Sequence, residues 1–449
     1  MSDFRTGRYY YISFMRTSLV AAVTALALIF PTSALSQETP EAPISPPPLT
    51  AENAENPETD QGEDEQPTSR ETAPNTDGCP FKQSPPQART TSEAVAPGTP
   101  SSTALPIPDI PAGGPLMADC GVITPGGFAL PADQTASAWM VFDLDSGEII
   151  ATKDPHGRYR PASTIKALLA LVAIAELDPA KKVTGTWDAA NIVGSRVGVG
   201  EDGNYTIAEL LHGLLLASGN DAAHLLAQEL GGDETTLQKI NELALKIGTQ
   251  DTFAASYSGL DAPGMSTSAY DMALIYQYAW QDPTFARIVA TEYIDFPGWG
   301  DNEGFQVWND NGLFLNDPDG IGGKTGFTDD ANHTFVGALD RGGRRLAAVL
   351  LDTTTDKARP WEQARMLIDA SLPVLPGAGV GQLGELSEPA EETDSTTIVE
   401  LPEAETVAPD EGSDSEGSSM IDIAKVALPI GVIVLLLIAA LAWTFRKRG

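Results

Sequence analysis

Two side chains that could react together lie three residues apart, the hydroxyl of Ser163 and the amine of Lys166. They begin the apolar run STIKALLALVAIAEL, residues 163–177. On a helix this spacing places both on one face. Burial penalises a charged amine, so a buried Lys166 is favoured in its neutral form, which can accept a proton from a serine hydroxyl. The pair predicts a serine nucleophile with a lysine base, although Ser-x-x-Lys alone also fits an ordinary buried helix.

Two more short motifs place polar groups at predicted breaks in secondary structure. The sequence SGN at 218–220 falls between two predicted helices and presents a hydroxyl and an amide. It also fits a simple turn in which Asn220 caps the next helix. The sequence KTG at 324–326 opens a predicted strand and offers a cation, a hydroxyl and a glycine that lets a ligand approach the backbone. It also fits a polar edge strand, where lysine discourages aggregation.

The three motifs lie in a part of the chain that has predicted strands near both ends and predicted helices between them, and these elements must position the motifs. Hairpins are predicted over 137–154 and 333–353, with a strand over 322–331 beside the second hairpin. Helices are predicted over 163–177, 206–217, 220–232 and 266–280, and from Pro360 onwards. This order predicts an α+β fold, with a largely antiparallel sheet that carries helices and an inserted helical lobe.

The order and spacing of the three motifs say more than any one of them. Ser-x-x-Lys, Ser-x-Asn about 50 residues later and Lys-Thr-Gly about 100 residues after that are typical of the active-site serine penicillin-recognising enzymes. Residues 136–370 resemble the D-alanyl-D-alanine carboxypeptidases, the low-molecular-weight penicillin-binding proteins. The resemblance implies a β-lactamase/transpeptidase-like domain that trims peptidoglycan stem peptides and binds β-lactams covalently.

The resemblance also implies catalytic roles. Ser163 would attack the carbonyl between the last two D-alanines of a stem pentapeptide, and Lys166 would accept its proton. Ser218 would pass a proton to the departing D-alanine. The backbone N–H groups of Ser163 and Phe327 would form the oxyanion hole.

The remaining site residues are implied to bind substrate. Asn220 would orient the peptide backbone of the substrate. Lys324 and Thr325 would hold its terminal carboxylate, and the charge of Lys324 would help to keep the lysine base neutral. Gly326 and Phe327 complete the substrate-binding strand. Phe327 stands where many relatives have a histidine, so only its backbone contribution is expected to be retained.

Two other functions remain open from the sequence. A β-lactamase of the same fold would release hydrolysed penicillin rapidly, whereas a carboxypeptidase would keep a long-lived adduct. A non-catalytic penicillin-binding scaffold for cell-wall machinery would have no need of both lysines. A Ser-His-Asp hydrolase is disfavoured because the chain contains no Gly-x-Ser-x-Gly sequence.

Composition divides the 449 residues into a folded part and acidic tails. Residues 37–78 carry 11 acidic side chains and one basic one, and 381–422 carry 13 acidic side chains and no basic one. These tails supply most of the net charge of −35, which argues against nucleic acid as a partner. We expect an acidic, Pro-rich disordered segment over 37–119, the catalytic domain over 120–373 and an acidic disordered linker over 374–424.

Both ends of the chain predict export and anchoring. Residues 1–36 have arginines before a short apolar run and small residues at its end, as in a signal peptide. A single transmembrane helix is predicted over residues 425–445, because Val426 to Phe445 form a run without a charge that is long enough to cross a bilayer. The basic tail 446–449 then predicts a cytoplasmic C-terminus and a catalytic domain on the outer face of the cell membrane.

The chain has only two cysteines, Cys79 and Cys120. In an oxidising compartment they are candidates for a disulfide that fixes the N-terminal tail to the folded domain, although two unrelated thiols remain the alternative. Two cysteines and no His-Glu-x-x-His sequence give no basis for a metal site, and no cofactor is expected.

Overall fold

The computed structural model describes residues 69–95 and 104–384. The predicted signal peptide, transmembrane helix and basic tail lie outside these residues, as does most of the predicted linker. Within the two described ranges, no helix is long and apolar enough to cross a membrane.

The strands pair exclusively antiparallel within the described residues. They are β1 (Val122–Ile123), β2 (Ala138–Asp143), β3 (Glu148–Lys153), β4 (Lys182–Thr184), β5 (Asn204–Thr206), β6 (Tyr293–Phe296), β7 (Phe305–Trp308), β8 (Gly320–Thr328), β9 (Asn332–Arg341), β10 (Arg344–Thr353) and β11 (Gly381–Gln382). The main sheet has the order β1-β3-β2-β10-β9-β8, and β11 joins it by pairing with β3. The two predicted hairpins and the predicted strand beside the second one are confirmed as β2–β3, β9–β10 and β8.

The helices cover both faces of this sheet. They are α1 (Lys166–Glu176), α2 (Trp187–Ala190), α3 (Ile207–Leu216), α4 (Asn220–Glu229), α5 (Asp233–Ile247), α6 (Ala269–Gln281), α7 (Pro283–Val289), α8 (Gly312–Asn316) and α9 (Pro360–Ser371). The predicted capping box of α3 is present, since the Thr206 hydroxyl accepts from the Glu209 N–H and the Glu209 carboxylate accepts from the Thr206 N–H.

Central strand β2 is buried on both faces because its side chains alternate between two cores. Ala138, Met140 and Phe142 join the core formed with the helical lobe. Trp139 and Val141 join a second core on the opposite face, against α9. The predicted sheet packed with helices is therefore confirmed.

Helix α1 is the centre of the helical lobe. It packs against α3, α5, α6 and α7, and every residue from Lys166 to Ala173 is buried. A helix surrounded on all sides needs apolar residues on all faces, which explains the nearly unbroken apolar run. The predicted helix over 163–177 is thus confirmed, with its first turn wound as a 3₁₀ helix, Ala162–Ile165.

The predicted disordered segment over 37–119 needs correction. Its residues 69–95 and 104–119, here called the N-terminal segment, are described in the structure and contact the catalytic domain. Arg70 donates to the backbone carbonyl of Asp352, at 2.7 Å, and pairs with its carboxylate, also at 2.7 Å. The folded unit therefore begins well before residue 120.

Buried arginines explain why this Pro-rich segment is ordered. Arg158 is only 1% exposed, and a buried cation is costly unless acceptors surround it. Its guanidinium donates to the carbonyls of Gln83, Leu105 and Pro106 at 3.0, 2.7 and 2.8 Å, and to the Asp251 carboxylate at 3.2 Å. Every residue has a backbone carbonyl, so the amino-acid composition of the segment does not predict these hydrogen bonds.

The predicted start of the linker at 374 also needs correction. Gly381 and Gln382 pair with Ile149 and Glu148 of β3, and Leu383 is buried. The folded unit therefore extends to Gly384, because a strand added to the sheet edge satisfies backbone groups of both partners.

Cys79 of the N-terminal segment forms a disulfide with Cys120, which directly follows that segment, across a sequence separation of 41 residues. A loop of this length restricts the unfolded chain, so we expect the Cys79→Ser/Cys120→Ser variant to lose about 2–4 kcal/mol of unfolding free energy. Urea unfolding of the wild type with and without reductant provides the control. Reductant should lower the stability of the wild type to that of the variant and leave the variant unchanged. Equal stability of the oxidised wild type and the variant would contradict the prediction.

Candidate active site

Ser163 lies in the 3₁₀ turn Ala162–Ile165, which directly precedes the buried helix α1. Ala162 has φ of +46°, a left-handed conformation that costs a non-glycine residue about 1–2 kcal/mol. The turn leaves Ser163 half-buried while its neighbours Ala162 and Thr164 are buried. Strain of this kind persists where the surrounding structure imposes it, which is typical of functional sites.

Lys166 lies directly beneath this serine. Its Nζ is 2.8 Å from Ser163 Oγ and 2.8 Å from Asn220 Oδ1, and it also contacts the carbonyl oxygen of Ser258. A neutral amine has two N–H groups and one lone pair. If it donates to Asn220 Oδ1 and to Ser258 O, the lone pair faces the Ser163 hydroxyl. The contacts therefore suit a neutral lysine that accepts the serine proton.

The electrostatics favour the same protonation state. Complete burial lowers the pKa of Lys166 well below the usual 10.5, and the positive charge of Lys324 lowers it further. Burial also lowers the pKa of Lys324, but the Asp310 carboxylate, 3.7 Å from its Nζ, opposes that shift. Lys166 is thus the amine favoured as neutral, and Lys324 is the amine favoured as a cation.

The SGN motif lies between α3 and α4, as predicted. Ser218 has φ of +59° and is 6% exposed, and Asn220 begins α4. Asn220 Nδ2 donates to the carbonyl of Val193 at 2.8 Å, which turns its Oδ1 towards Lys166. The hydroxyl of Ser218 is not among the hydrogen-bond partners of Lys166 in the described part of the chain.

The KTG motif lies on β8, which passes beside the nucleophile turn. A Cβ atom at position 326 would lie 2.9 Å from the backbone nitrogen of Ser163 and would also meet the hydroxyl of Thr334. Only glycine therefore allows β8 to approach the serine so closely. The Thr334 hydroxyl on β9 donates to the carbonyl of Pro161 at 2.7 Å and holds the turn against the sheet.

Lys324 and Thr325 face a shared acceptor. Lys324 is fully buried, and its Nζ donates to the Thr325 carbonyl at 3.0 Å. The Thr325 hydroxyl donates to Asp310 Oδ2 at 2.8 Å. A buried cation and a hydroxyl on one strand, next to the serine, can bind a carboxylate. The structure thus brings together the predicted serine, lysine, asparagine and KTG residues in one site.

Comparison with known proteins agrees with this geometry. The family described as D-alanyl-D-alanine carboxypeptidase matches residues 128–355. The chain belongs to this family. The resemblance inferred from the three motifs is confirmed, and so is the prediction of a serine peptidase.

Individual members of the carboxypeptidase family also match this chain. D-alanyl-D-alanine carboxypeptidase DacB2 of Mycobacterium tuberculosis is 42% identical over 270 residues, which are 59% of this chain and 92% of that protein. DacF of Bacillus subtilis is 29% identical over 238 residues, 52% of this chain and 61% of that protein, so the match spans about three fifths of DacF.

Solved structures confirm the fold. The crystal structure of a D-alanyl-D-alanine carboxypeptidase from Mycobacterium tuberculosis has a TM-score of 0.55 and 41% identity, and covers 58% of this chain and 100% of that chain. A mutant of a Streptomyces DD-transpeptidase has a TM-score of 0.51 and 25% identity, and covers 53% of this chain and 98% of that chain. The domain has the transpeptidase-like fold of penicillin-binding proteins.

Three residues of this carboxypeptidase site were not found from the sequence. Ser258 contributes only its carbonyl oxygen, and any residue type can do so. Asp310 follows β7 in the run Asn-Asp-Asn, with nothing to link it to β8. Asp221 is buried and accepts hydrogen bonds from the N–H groups of residues 197, 198 and 199, which fixes the loop beside Asn220. A charged residue directly after the SGN motif was the available signal for Asp221.

The histidines take no part in the contacts of Ser163 within the described residues. His156 bonds to the Asp251 carboxylate at 2.8 Å, His212 to the carbonyl of Ala208 and His224 to the hydroxyl of Tyr257. His333 packs against the ring of Phe327, with centroids 4.7 Å apart. Phe327 is 52% exposed, so about half of this residue is open to solvent.

The lowered pKa of Lys166 predicts how acylation depends on pH. The neutral amine is the base, so acylation needs deprotonated Lys166, and a pKa below 10.5 moves that requirement to lower pH. We expect the second-order rate constant for acylation by penicillin to rise about tenfold per pH unit at low pH and to level off well below pH 10.5. A rate constant that keeps rising up to pH 10.5 would show that Lys166 is charged in the free enzyme.

Proposed function

We propose that this chain removes the terminal D-alanine of peptidoglycan stem pentapeptides through an acyl-enzyme on Ser163. Its family makes it a serine-type D-Ala-D-Ala carboxypeptidase, a hydrolase. One observation carries the choice of nucleophile: the buried amine of Lys166 lies 2.8 Å from the Ser163 hydroxyl, in surroundings that favour the neutral amine.

In acylation, one proton leaves the Ser163 hydroxyl and an ester bond to Ser163 replaces the peptide bond to the terminal D-alanine. Ser163 Oγ attacks the carbonyl carbon of the penultimate D-alanine while its proton passes to Lys166 Nζ. The tetrahedral intermediate then collapses, the carbon–nitrogen bond breaks, and D-alanine leaves with a proton on its amine. Water hydrolyses the resulting ester and restores the Ser163 hydroxyl, so the net reaction consumes one water and releases one D-alanine.

The substrate is held by groups on both sides of the serine. Lys324 and Thr325 bind its terminal carboxylate, as a cation and a hydroxyl on one strand can do. Asn220 orients its peptide backbone. The N–H groups of Ser163 and Phe327 stabilise the oxyanion, which is supported by the close approach of β8 to the nucleophile turn.

Ser218 is assigned to the departing amine. It is nearly buried beside Asn220, whose Oδ1 contacts the Lys166 amine. A hydroxyl in this position can pass the proton from Lys166 to the leaving D-alanine once substrate is bound.

The same site takes β-lactams, because their strained amide and nearby carboxylate reproduce the two features of the terminal dipeptide. Ser163 opens the ring, and the acyl group stays attached to the enzyme. The long-lived adduct distinguishes a carboxypeptidase from a β-lactamase of the same fold.

We also propose the location of the enzyme. The signal peptide over 1–36 directs export, and the transmembrane helix over 425–445 anchors the chain in the cell membrane, with residues 446–449 in the cytoplasm. The disulfide supports a catalytic domain on the outer face, since disulfides persist in oxidising compartments. There the stem peptides of the cell wall are within reach.

The test uses the full chain with two substrates. A stem pentapeptide ending in D-Ala-D-Ala is assayed for free D-alanine, and penicillin is followed by the mass of the intact protein. We expect D-alanine release and a persistent mass increase of one penicillin. Rapid turnover of penicillin without D-alanine release would indicate a β-lactamase. A folded protein that does neither would indicate a scaffold.

A further inference from the structure

Asp310 is a charged residue that rigid neighbours hold beside the KTG strand. Its backbone N–H donates to the carbonyl of Leu216 at 2.9 Å. Asn309 and Asn311 on either side are buried. Asn309 Nδ2 donates to the carbonyls of residues 289 and 291, and Asn311 caps α8 through the N–H groups of residues 313 and 314. The backbone at Asp310 therefore has little freedom to move its carboxylate away.

The Asp310 carboxylate uses the groups assigned to the substrate. Its Oδ2 accepts from the Thr325 hydroxyl at 2.8 Å and lies 3.7 Å from Lys324 Nζ. These are the hydroxyl and the cation that would bind the terminal carboxylate of the stem peptide. The Asp310 carboxylate thus contacts the two side chains, Lys324 and Thr325, that are assigned to the substrate carboxylate.

When substrate binds, this part of the site contains two negative carboxylates but only one positive amine. Lys166 must be neutral to act as the base, so it adds no positive charge to this part of the site. Lys324 would then face two carboxylates, that of Asp310 and that of the substrate. Two like charges a few ångströms apart repel, and this repulsion is only partly screened at a site that is one-third exposed on the Asp310 side.

We propose that Asp310 is a specificity-determining residue, an internal carboxylate that competes with the terminal carboxylate of the substrate for Lys324 and Thr325. The proposal rests on the assignment of these two residues to the substrate carboxylate. Asp310 weakens the binding of ligands that carry a free carboxylate and leaves the binding of ligands without that carboxylate unaffected. It thereby sets how much of the enzyme is occupied at a given concentration of stem peptide.

The Asp310→Asn variant isolates the charge. Asparagine keeps a carbonyl oxygen that can accept from the Thr325 hydroxyl, so the hydrogen bond can remain while the negative charge is lost. Asp295 on β6 is exposed, and Asp295→Asn provides the same change of charge away from the KTG strand. Thermal unfolding of each variant shows that the fold is retained.

Equilibrium binding is measured on the full chain in a Ser163→Ala background, so that the peptide is not hydrolysed. The two ligands are a stem pentapeptide ending in D-Ala-D-Ala and the same peptide with its terminal carboxylate converted to an amide. We expect Asp310→Asn to tighten binding of the acid peptide about tenfold, from Coulomb repulsion at a partly screened site. It should leave binding of the amide peptide unchanged, and Asp295→Asn should change neither.

Four results would overturn the proposal. Equal affinities of Asp310→Asn and the Asp310 parent for the acid peptide would show that the two carboxylates do not compete. Weaker binding of both peptides would show that Asp310 positions Lys324 and Thr325 for substrate, and weaker binding of the acid peptide alone would show that Asp310 keeps Lys324 charged for substrate instead of competing with it. If the Asp310 parent binds acid and amide peptides alike and Lys324→Met weakens neither, the assignment of Lys324 itself fails, and the proposal falls with it.

Discussion

The Ser163→Ala variant is expected to release no measurable D-alanine from a stem pentapeptide and to form no adduct with penicillin. The hydroxyl is the atom that becomes acylated, so its removal takes away the reaction path and not only a favourable contact. Loss of a serine nucleophile lowers turnover by about 10⁴-fold or more in enzymes of this chemical type. Free D-alanine and the mass of the intact protein are the two measurements.

A matched control separates loss of the nucleophile from loss of the fold. Ser146 lies in the turn between β2 and β3, on the other side of the sheet order from β8, and Ser146→Ala should retain full activity. Thermal unfolding should be cooperative in both variants. D-alanine release by a folded Ser163→Ala variant at more than a few per cent of the wild-type rate would move the nucleophile to another residue.

The Lys166→Met variant is expected to fold normally and to acylate about 10²–10⁴-fold more slowly. Methionine keeps the length and apolar contacts of the buried side chain but has no amine to accept the serine proton. Because the lysine is already favoured as neutral, little charge stabilisation is lost from the fold, although Asn220 Oδ1 and the Ser258 carbonyl lose the amine as a hydrogen-bond donor. Stopped-flow measurement of penicillin acylation gives the rate constant.

Lys182→Met is the control for this change. Lys182 lies on β4 and is exposed, so its replacement should leave acylation unaltered. If Lys166→Met acylates at the wild-type rate, the serine proton goes to another group and Lys166 is not the base. If Lys166→Met unfolds, comparison with Lys166→Arg shows whether the amine or the packing was required.

Residue types with a fixed chemical role could be predicted from the sequence. Ser163, Lys166, Asn220 and Lys324 are needed as a hydroxyl, an amine, an amide and a cation, and the structure places all four in one site. The hairpins were predictable for a similar reason, because β-rich runs around glycine turns specify strand pairing over a short distance.

Contacts that any residue can make could not be predicted. The carbonyl of Ser258 and the carbonyls around Arg158 come from loops with no distinctive side chains. The Pro-rich composition of the N-terminal segment predicted disorder because apolar burial was the criterion. Hydrogen bonds to buried arginines supply the order instead.

The hairpin β6–β7 and helix α5 were also absent from the predictions. Five residues of the two hairpin strands are exposed, and three of them are aromatic, namely Tyr293, Phe305 and Trp308. The alternation of apolar and polar residues that marks a half-buried strand is therefore weak. Helix α5 buries only Thr236, Ile240, Ala244 and Ile247, one narrow stripe of a polar sequence.

The N-terminal segment has a consequence for the order of folding. Ser69 bonds to Asp356, Arg70 to Asp352 and Thr90 to Asp330, contacts that join residues 287, 282 and 240 positions apart. Their acceptors are synthesised long after the residues that bind them, so these three contacts can form only when nearly the whole domain has emerged. Contacts between residues so far apart in sequence slow folding, because the entropy of closing the loop is lost before the contact stabilises the chain. Residues 69 and 70 are therefore attached to the domain only after β10, which carries Asp352, has been made.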